Sequence, residues 1–442
     1  MAGRLLGFAL LGAVVFASPV FSQTPEPATA RPPVENSVVQ SGSDQAPESE
    51  RRRIVRQPIK RTGLLAVADG LKYPFHQFGR AFEMGLVKVE RDHALERVGD
   101  LQQRLLAKGY QPLVGGMGPG AGFAFGVTVF RENFRGTSAR LDLPLQYSTN
   151  GYVSLGASLA IPLGHDKGLV VKPDVEFQRR PQEDFFGLGP GSSQDDRSNF
   201  SLRQTKVGVT LSARLSERLR IGLPLGVSTA TVSRGTDNLF PDLQTRFADV
   251  AIPGARTGAD LVSVGTFLEW DFRNNPGNPT AGGRWRLDVA HSRDVGGQDF
   301  RFMRYAVEAT HYLPLDDEHV LAARVLGVFN DEAAGAGVPF FLKATLGGKE
   351  TMRGFREFRF YDDNAVLVSL EYRWRIWEFA DAVLFVDEGQ VAPEPRDFYL
   401  GGFRSSQGAG LRFKSDQAQI LRVDIGRSRE GRRLYISFAS RF

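Results

Sequence analysis

Three charged residues that lie apart in the chain are matched in chemistry: Arg353, Glu371 and Asp387. Arg353 stands in a glycine-punctuated stretch, Ala344 to Phe360, which reads ATLGGKETMRGFREFRF. Glu371 and Asp387 each stand in a segment where polar and apolar residues alternate, which puts both on the polar face of a strand. A long loop with Arg353 at its tip can fold back against that face. The planar guanidinium fork then holds the two carboxylates in a defined geometry. Gly347 and Gly348 before the tip, and Gly354 at it, allow the tight reversals such a loop needs. The competing arrangement leaves Arg353 in solvent and pairs the carboxylates with Arg373 or Arg375.

Other chemistries find little support. The 442 residues include no cysteine, which excludes a disulfide framework, a thiolate nucleophile and a cysteine-based metal centre. The six histidines are scattered, with no HExxH, so no metal or other cofactor is expected. There is no GxSxG and no grouping of Ser, His and acid on neighbouring strand ends, which argues against an enzyme. The net charge of +5 is spread through the strands, so nucleic acid is not an expected partner. The densest basic run, Arg51-Arg52-Arg53 with Arg56, Lys60 and Arg61, reads as a solvated linker.

The elements that must position the three residues begin with an export signal over 1–22. Arg4 precedes an apolar stretch from Leu5 to Ala17, too short to span a bilayer as a helix, and Val20-Phe21-Ser22 supplies a cleavage site. Residues 23–61 are rich in Pro, Ser, Glu, Gln and Arg and predict a disordered linker. Residues 62–118 predict a helical periplasmic segment: Leu95, Val98, Leu101 and Leu105 recur at helical spacing, and Gly109 closes the helix.

From 119 to 442 the period is two. Val262, Val264, Thr266, Leu268, Trp270 and Phe272 share one face; Glu269, Asp271 and Arg273 share the other. About fifteen such strands of 9–13 residues can be traced, the length a tilted membrane-spanning strand requires. One face is apolar with aromatic ends and the other often charged. Lipid outside and water or a plug inside satisfies both faces, and closure pairs every backbone group. The fold class predicted is therefore all-β, a transmembrane antiparallel barrel preceded by a short helical segment, with outer-membrane lipid as its surroundings. Gly118, Gly120, Gly122 and Gly126 are assigned to a weakened first strand, with a tight turn as the alternative.

Met352-Arg353-Gly354-Phe355 resembles the signature lumenal loop of the BamA/TamA-like superfamily, the bacterial surface antigen family. Glu371 in the following strand, then Phe385-Val386-Asp387-Glu388-Gly389, follow in that family's order, and the chain ends on Phe442 as its barrels do. The resemblance covers about 110–442. It implies a barrel of 16 strands, so one more strand is expected, near 230–260. It also implies that Phe438 and Phe442 belong to a carboxy-terminal insertion signal read by the barrel-assembly machinery, and that polypeptides are the substrate class of an insertion or translocation pore. The family's periplasmic POTRA domains have no counterpart in the pattern of 23–118, so a POTRA-less member is expected. The other function weighed is a passive channel or structural barrel without assembly activity.

Overall fold

In the computed structural model the described residues run from 104 to 438, apart from 116, 119, 165–167, 334–335 and 415–418, together with the dipeptide Val14–Val15. The expected cleavage site, the linker, most of the helical segment and Phe442 lie outside them. Sixteen antiparallel strands make the sheet: β1 Tyr110–Gly115, β2 Ala124–Arg131, β3 Arg140–Ser148, β4 Val153–Leu163, β5 Leu169–Phe185, β6 Ser198–Arg214, β7 Leu219–Arg234, β8 Ala259–Asp271, β9 Gly282–Asp294, β10 Arg301–Pro314, β11 His319–Glu332, β12 Asn364–Trp377, β13 Ala380–Ala392, β14 Arg404–Lys414, β15 Gln419–Ser428 and β16 Gly431–Phe438. Each pairs with its successor, and β16 neighbours β1, so the strand order returns on itself. Val14–Val15 adds a two-residue pairing beside Glu308 and Val307 of β10.

Alternation sorts the side chains. Leu225, Val227, Val264, Leu268, Trp270, Leu434 and Ile436 are exposed on the outer face, where a bilayer would cover them. Glu176, Gln204, Glu269, Asp288, Arg304, Glu371, Asp387 and Asp424 are buried on the inner one. No helix among the described residues is long and apolar enough to cross a membrane.

Three expectations need correction. The sixteenth strand is not near 230–260, where a loop with one helical turn, Leu243–Arg246, joins β7 to β8. It is β1, inside the stretch assigned to the helical segment; Pro112 within it breaks the alternation that would have marked it. Residues 104–107 are helical, and Gly109 ends that turn at φ +83°, its N–H donating to Leu106 O. Gly118, Gly120 and Gly122 belong to the β1–β2 connection, all at positive φ, so the turn reading holds for them; Gly126 lies in β2.

Connections after odd-numbered strands are mostly long, and those after even-numbered strands mostly short. At the long-loop end β5, β6 and β7 continue beyond the length a span needs. There the inward residues turn apolar: Phe185, Phe200, Leu202, Ala230 and Val232 form a core with Leu243, Phe340 and Tyr361. Loops cover that end, so its inner face buries hydrocarbon instead of facing water.

Candidate functional site: the loop inside the barrel

The β11–β12 connection enters the barrel as a small hairpin. Ala344–Leu346 pairs antiparallel with Phe360–Asp362, and 347–359 form the tip. Gly347 (φ +117°) and Gly348 (φ +91°) make the reversal. Its apolar side chains, Leu346, Met352, Phe355 and Phe360, pack on Leu326 and Val328 of β11, Leu367 of β12 and Val391 of β13. This burial seats the loop; the polar contacts fix its register.

Arg353 is 1% exposed, Glu371 and Asp387 0%. The Arg353 Nε donates to Asp387 Oδ2 at 2.9 Å and Nη2 to Asp387 Oδ1 at 2.5 Å, a bidentate pair, while Nη1 donates to Glu371 Oε1. The Arg353 backbone N–H also donates to Asp387 Oδ2, at 3.1 Å, and the Ser406 hydroxyl donates to the same oxygen at 3.3 Å. The guanidinium carbon lies 3.5 Å from the centre of the Phe385 ring, an arrangement that stacking and cation–π attraction favour. Burial by itself would loosen the arginine's proton; attraction to Glu371 and Asp387 outweighs it and raises the pKa above the usual guanidinium value.

Strand register explains why these residues meet. Glu371 faces Phe385 across β12–β13, Phe385 faces Gly408 across β13–β14, and Gly408 faces Gly426 across β14–β15. The row is one transverse line beneath Arg353, with Asp387 and Ser406 paired two residues along, on the same face. Its far end is bare: a Cβ on Gly426 would lie 2.2 Å from the Arg353 carbonyl oxygen. Gly354 serves the same close approach from the loop side, since a Cβ there would sit 2.6 Å from Ser406 Cβ and 2.7 Å from the Arg427 backbone. Its φ is not positive, so its use is proximity and not a reversal.

The wall donates to the loop backbone as well. Ser428 Oγ reaches Gly354 O at 2.7 Å, Tyr435 Oη reaches Phe355 O at 2.6 Å and Arg422 Nη2 reaches Lys349 O at 3.2 Å. The Omp85 superfamily domain matches residues 133–435. The chain belongs to the Omp85 superfamily. Among solved structures, BamA from Haemophilus ducreyi lacking POTRA domains 1–3 aligns over 75% of this chain and 69% of its own, at 15% identity and a TM-score of 0.56. CdiB from Escherichia coli aligns over 74% of this chain, at 14% identity and a TM-score of 0.51, and the chain spans 61% of it. At that identity these likenesses speak for the fold. The protein is an outer-membrane β-barrel.

Of the residues singled out in the sequence of this Omp85 barrel, Arg353, Gly354, Phe355, Glu371 and Asp387 come together. Phe438 closes the β16 register opposite Leu421, and Phe442 lies outside the described residues. The alternative partner Arg373 is also engaged: its Nε donates to Glu371 Oε2 at 2.9 Å while Arg353 holds Oε1. Sequence reasoning missed Arg412, whose Nη2 donates to Glu371 Oε1 and Nη1 to Asp424 Oδ1, at 2.9 and 2.7 Å. It also gave no role to Phe385, Ser406, Gly426 or Tyr435. Strand parity puts these residues on the inner face, Tyr435 between the outward Leu434 and Ile436 included; the register that aligns them is not visible in the sequence. Among the described residues no His, Cys, Asp and Glu group could hold a metal.

Proposed function

We propose that this barrel inserts or translocates polypeptides at the outer membrane, with the loop held inside by Arg353 against Glu371 and Asp387. The observation that carries the reading is the buried, bidentate Arg353–Asp387 pair shared with Glu371, in a chain of the Omp85 superfamily. A guanidinium committed at both carboxylates fixes a loop that would otherwise be free to leave the lumen. Outer-membrane lipid surrounds the barrel, the assembly machinery meets its last strand during insertion, and Phe438 with Phe442 forms the signal it reads. Membership of the family is what supports a polypeptide as the substrate class.

The test uses vesicles carrying the full chain and, as probe, a small urea-unfolded outer-membrane barrel. Vesicles with the wild-type chain are expected to fold the probe faster than empty vesicles, and Arg353→Ala to lose most of that gain while its own conductance rises. Equal probe folding in wild-type and empty vesicles, alongside measurable conductance, would instead make the protein a passive channel.

A further inference from the structure

A second arginine of the same loop is as deeply buried as the first and is committed elsewhere. Arg359 is 1% exposed. Its Nε donates to both carboxylate oxygens of Glu430 at 3.0 Å, and Nη2 lies 2.9 Å from Glu430 Oε1. Nη1 donates to the Ser192 hydroxyl at 2.9 Å and Nη2 to the Ser192 carbonyl at 2.7 Å. The rings of Phe360 and Phe186 flank the guanidinium, with centres 4.7 and 5.0 Å from its carbon.

These partners come from three separate connections at one end of the barrel. Arg359 belongs to the β11–β12 loop, Glu430 to the β15–β16 turn, and Ser192 to the β5–β6 loop. Glu430 is itself held in place: its N–H donates to Ser428 Oγ at 3.1 Å, and that hydroxyl donates to Gly354 O. The β5–β6 loop receives further support nearby, where Gly189 N–H donates to Tyr361 O at 2.8 Å and Arg404 Nη2 to Pro190 O at 3.0 Å. No other single side chain among the described hydrogen bonds joins three connections at this end.

We infer that Arg359 seals the long-loop mouth of the barrel, as a fastening distinct from the Arg353 contacts deeper inside. The inference rests on the loop being held inside the lumen, as proposed above, and names what regulates access to it. The two fastenings share a loop and hold it in different places: Arg353 fixes the middle of the tip to the wall, while Arg359, at the end of the tip, ties it to two other connections. A solute or a probe entering from the long-loop side meets the Arg359 junction first. Because Glu430 sits on the two-residue turn before β16, displacement of that turn breaks the seal without touching Asp387.

The absence of native cysteine makes site-directed labelling clean. A single cysteine replaces half-buried Arg356 in the full chain, in whole cells, and a membrane-impermeant maleimide is added outside. Arg359→Ala and Glu430→Gln are each expected to raise the labelling rate about tenfold, because loss of a charge-assisted pair shifts a local opening equilibrium. Arg359→Lys, which keeps the charge but loses the fork, is expected to fall between. Arg353→Ala is expected to leave the rate near that of the parent. Heat-modifiable mobility scores folding of each variant, and Glu430→Gln, which keeps the size and shape of a side chain only 7% exposed, covers the case in which Arg359→Ala does not fold. Unchanged labelling in folded Glu430→Gln or Arg359→Ala overturns the seal. Raised labelling in Arg353→Ala equal to that in Arg359→Ala also overturns it, since the two would then be one fastening. Neither result bears on the vesicle assay, where the function of the barrel stands or falls separately.

Discussion

Two carboxylates on the inner wall each hold three arginines, and they do different things. Glu371 on β12 accepts from Arg353, Arg373 and Arg412. Glu269 on β8 accepts from Arg220, Arg284 and Arg286. The local chemistry is nearly the same. At Glu269 every arginine comes from the neighbouring strands β7 and β9, so the cluster only knits a wall that backbone pairing already holds. At Glu371 one arginine arrives from a loop that no ladder of the sixteen-stranded sheet holds in register. Both carboxylates are buried, but the arginine side chains differ: those at Glu371 are 2%, 7% and 2% exposed, those at Glu269 37%, 22% and 18%. A cluster of charges does positional work where one member belongs to a connection outside the wall and water is excluded; elsewhere it is wall.

The largest effect that separates the two is removal of the central charge. Glu371→Gln leaves three buried guanidinium groups short of an acceptor, and breaking a buried ionic network of this kind costs about 3–5 kcal/mol. Glu269→Gln should cost about 1–2 kcal/mol, because its arginines retain Asp288, Glu308 and access to water. The urea midpoint of the purified barrel, followed by heat-modifiable mobility, reads both. Equal shifts would erase the distinction drawn between them.

What the sequence disclosed follows the same division. The wall was legible because period-two alternation is written into each strand by itself, as from Val262 to Trp270 in β8. Arg353, Glu371 and Asp387 were legible because parity and a loop long enough to return are local properties too. Register is not local. Nothing near Gly426 announces that it lies under the Arg353 carbonyl, and Arg359 is 71 residues from Glu430. The full lengths of β5 and β6 are hidden in the sequence for a related reason. Past the membrane span their inward residues become apolar, Phe185 and Phe200 among them, and alternation stops distinguishing the faces. β1 was missed because Pro112 interrupts its pattern, and the Gly118 to Gly122 turn that follows drew the strand boundary to itself.

Glycine gives a sharper comparison of intermediate size. Gly426 on β15 and Gly226 on β7 both face inward in mid-strand. At Gly426 a Cβ meets the Arg353 carbonyl oxygen at 2.2 Å; at Gly226 the nearest atom is the Val207 carbonyl oxygen at 3.1 Å, and everything else lies beyond 3.5 Å. Gly426→Ala forces the loop backbone away and should cost about 1–3 kcal/mol, as overpacking does. Gly226→Ala should change stability by less than about 0.5 kcal/mol. Conductance distinguishes a loop effect from a strand effect: Gly426→Ala should raise it and Gly226→Ala should leave it unchanged. A rise in the second variant would mean that the β7 wall, too, is lined by the loop.

The smallest expected effect concerns single arginines. Arg220 reaches Glu269 from a partly solvated position, and Glu269 keeps Arg284 and Arg286 when it is lost. A pair so exposed is worth about 0–1 kcal/mol, so Arg220→Ala should barely move the urea midpoint. What little it does should vanish at about 1 M salt, where charges are screened beyond about 3 Å. Arg412 occupies the matching place in the other cluster but is 1% exposed and bridges Glu371 to Asp424. Arg412→Ala should therefore lower the midpoint by several times as much, and salt should not restore it, because ions do not reach the pair. Measuring the four midpoints, two variants at low and high salt, decides whether burial or arginine number sets the strength of these clusters. If Arg220→Ala and Arg412→Ala respond alike to salt, the lumen beneath the loop is wet, and the Arg353 contacts must be weaker than their geometry suggests.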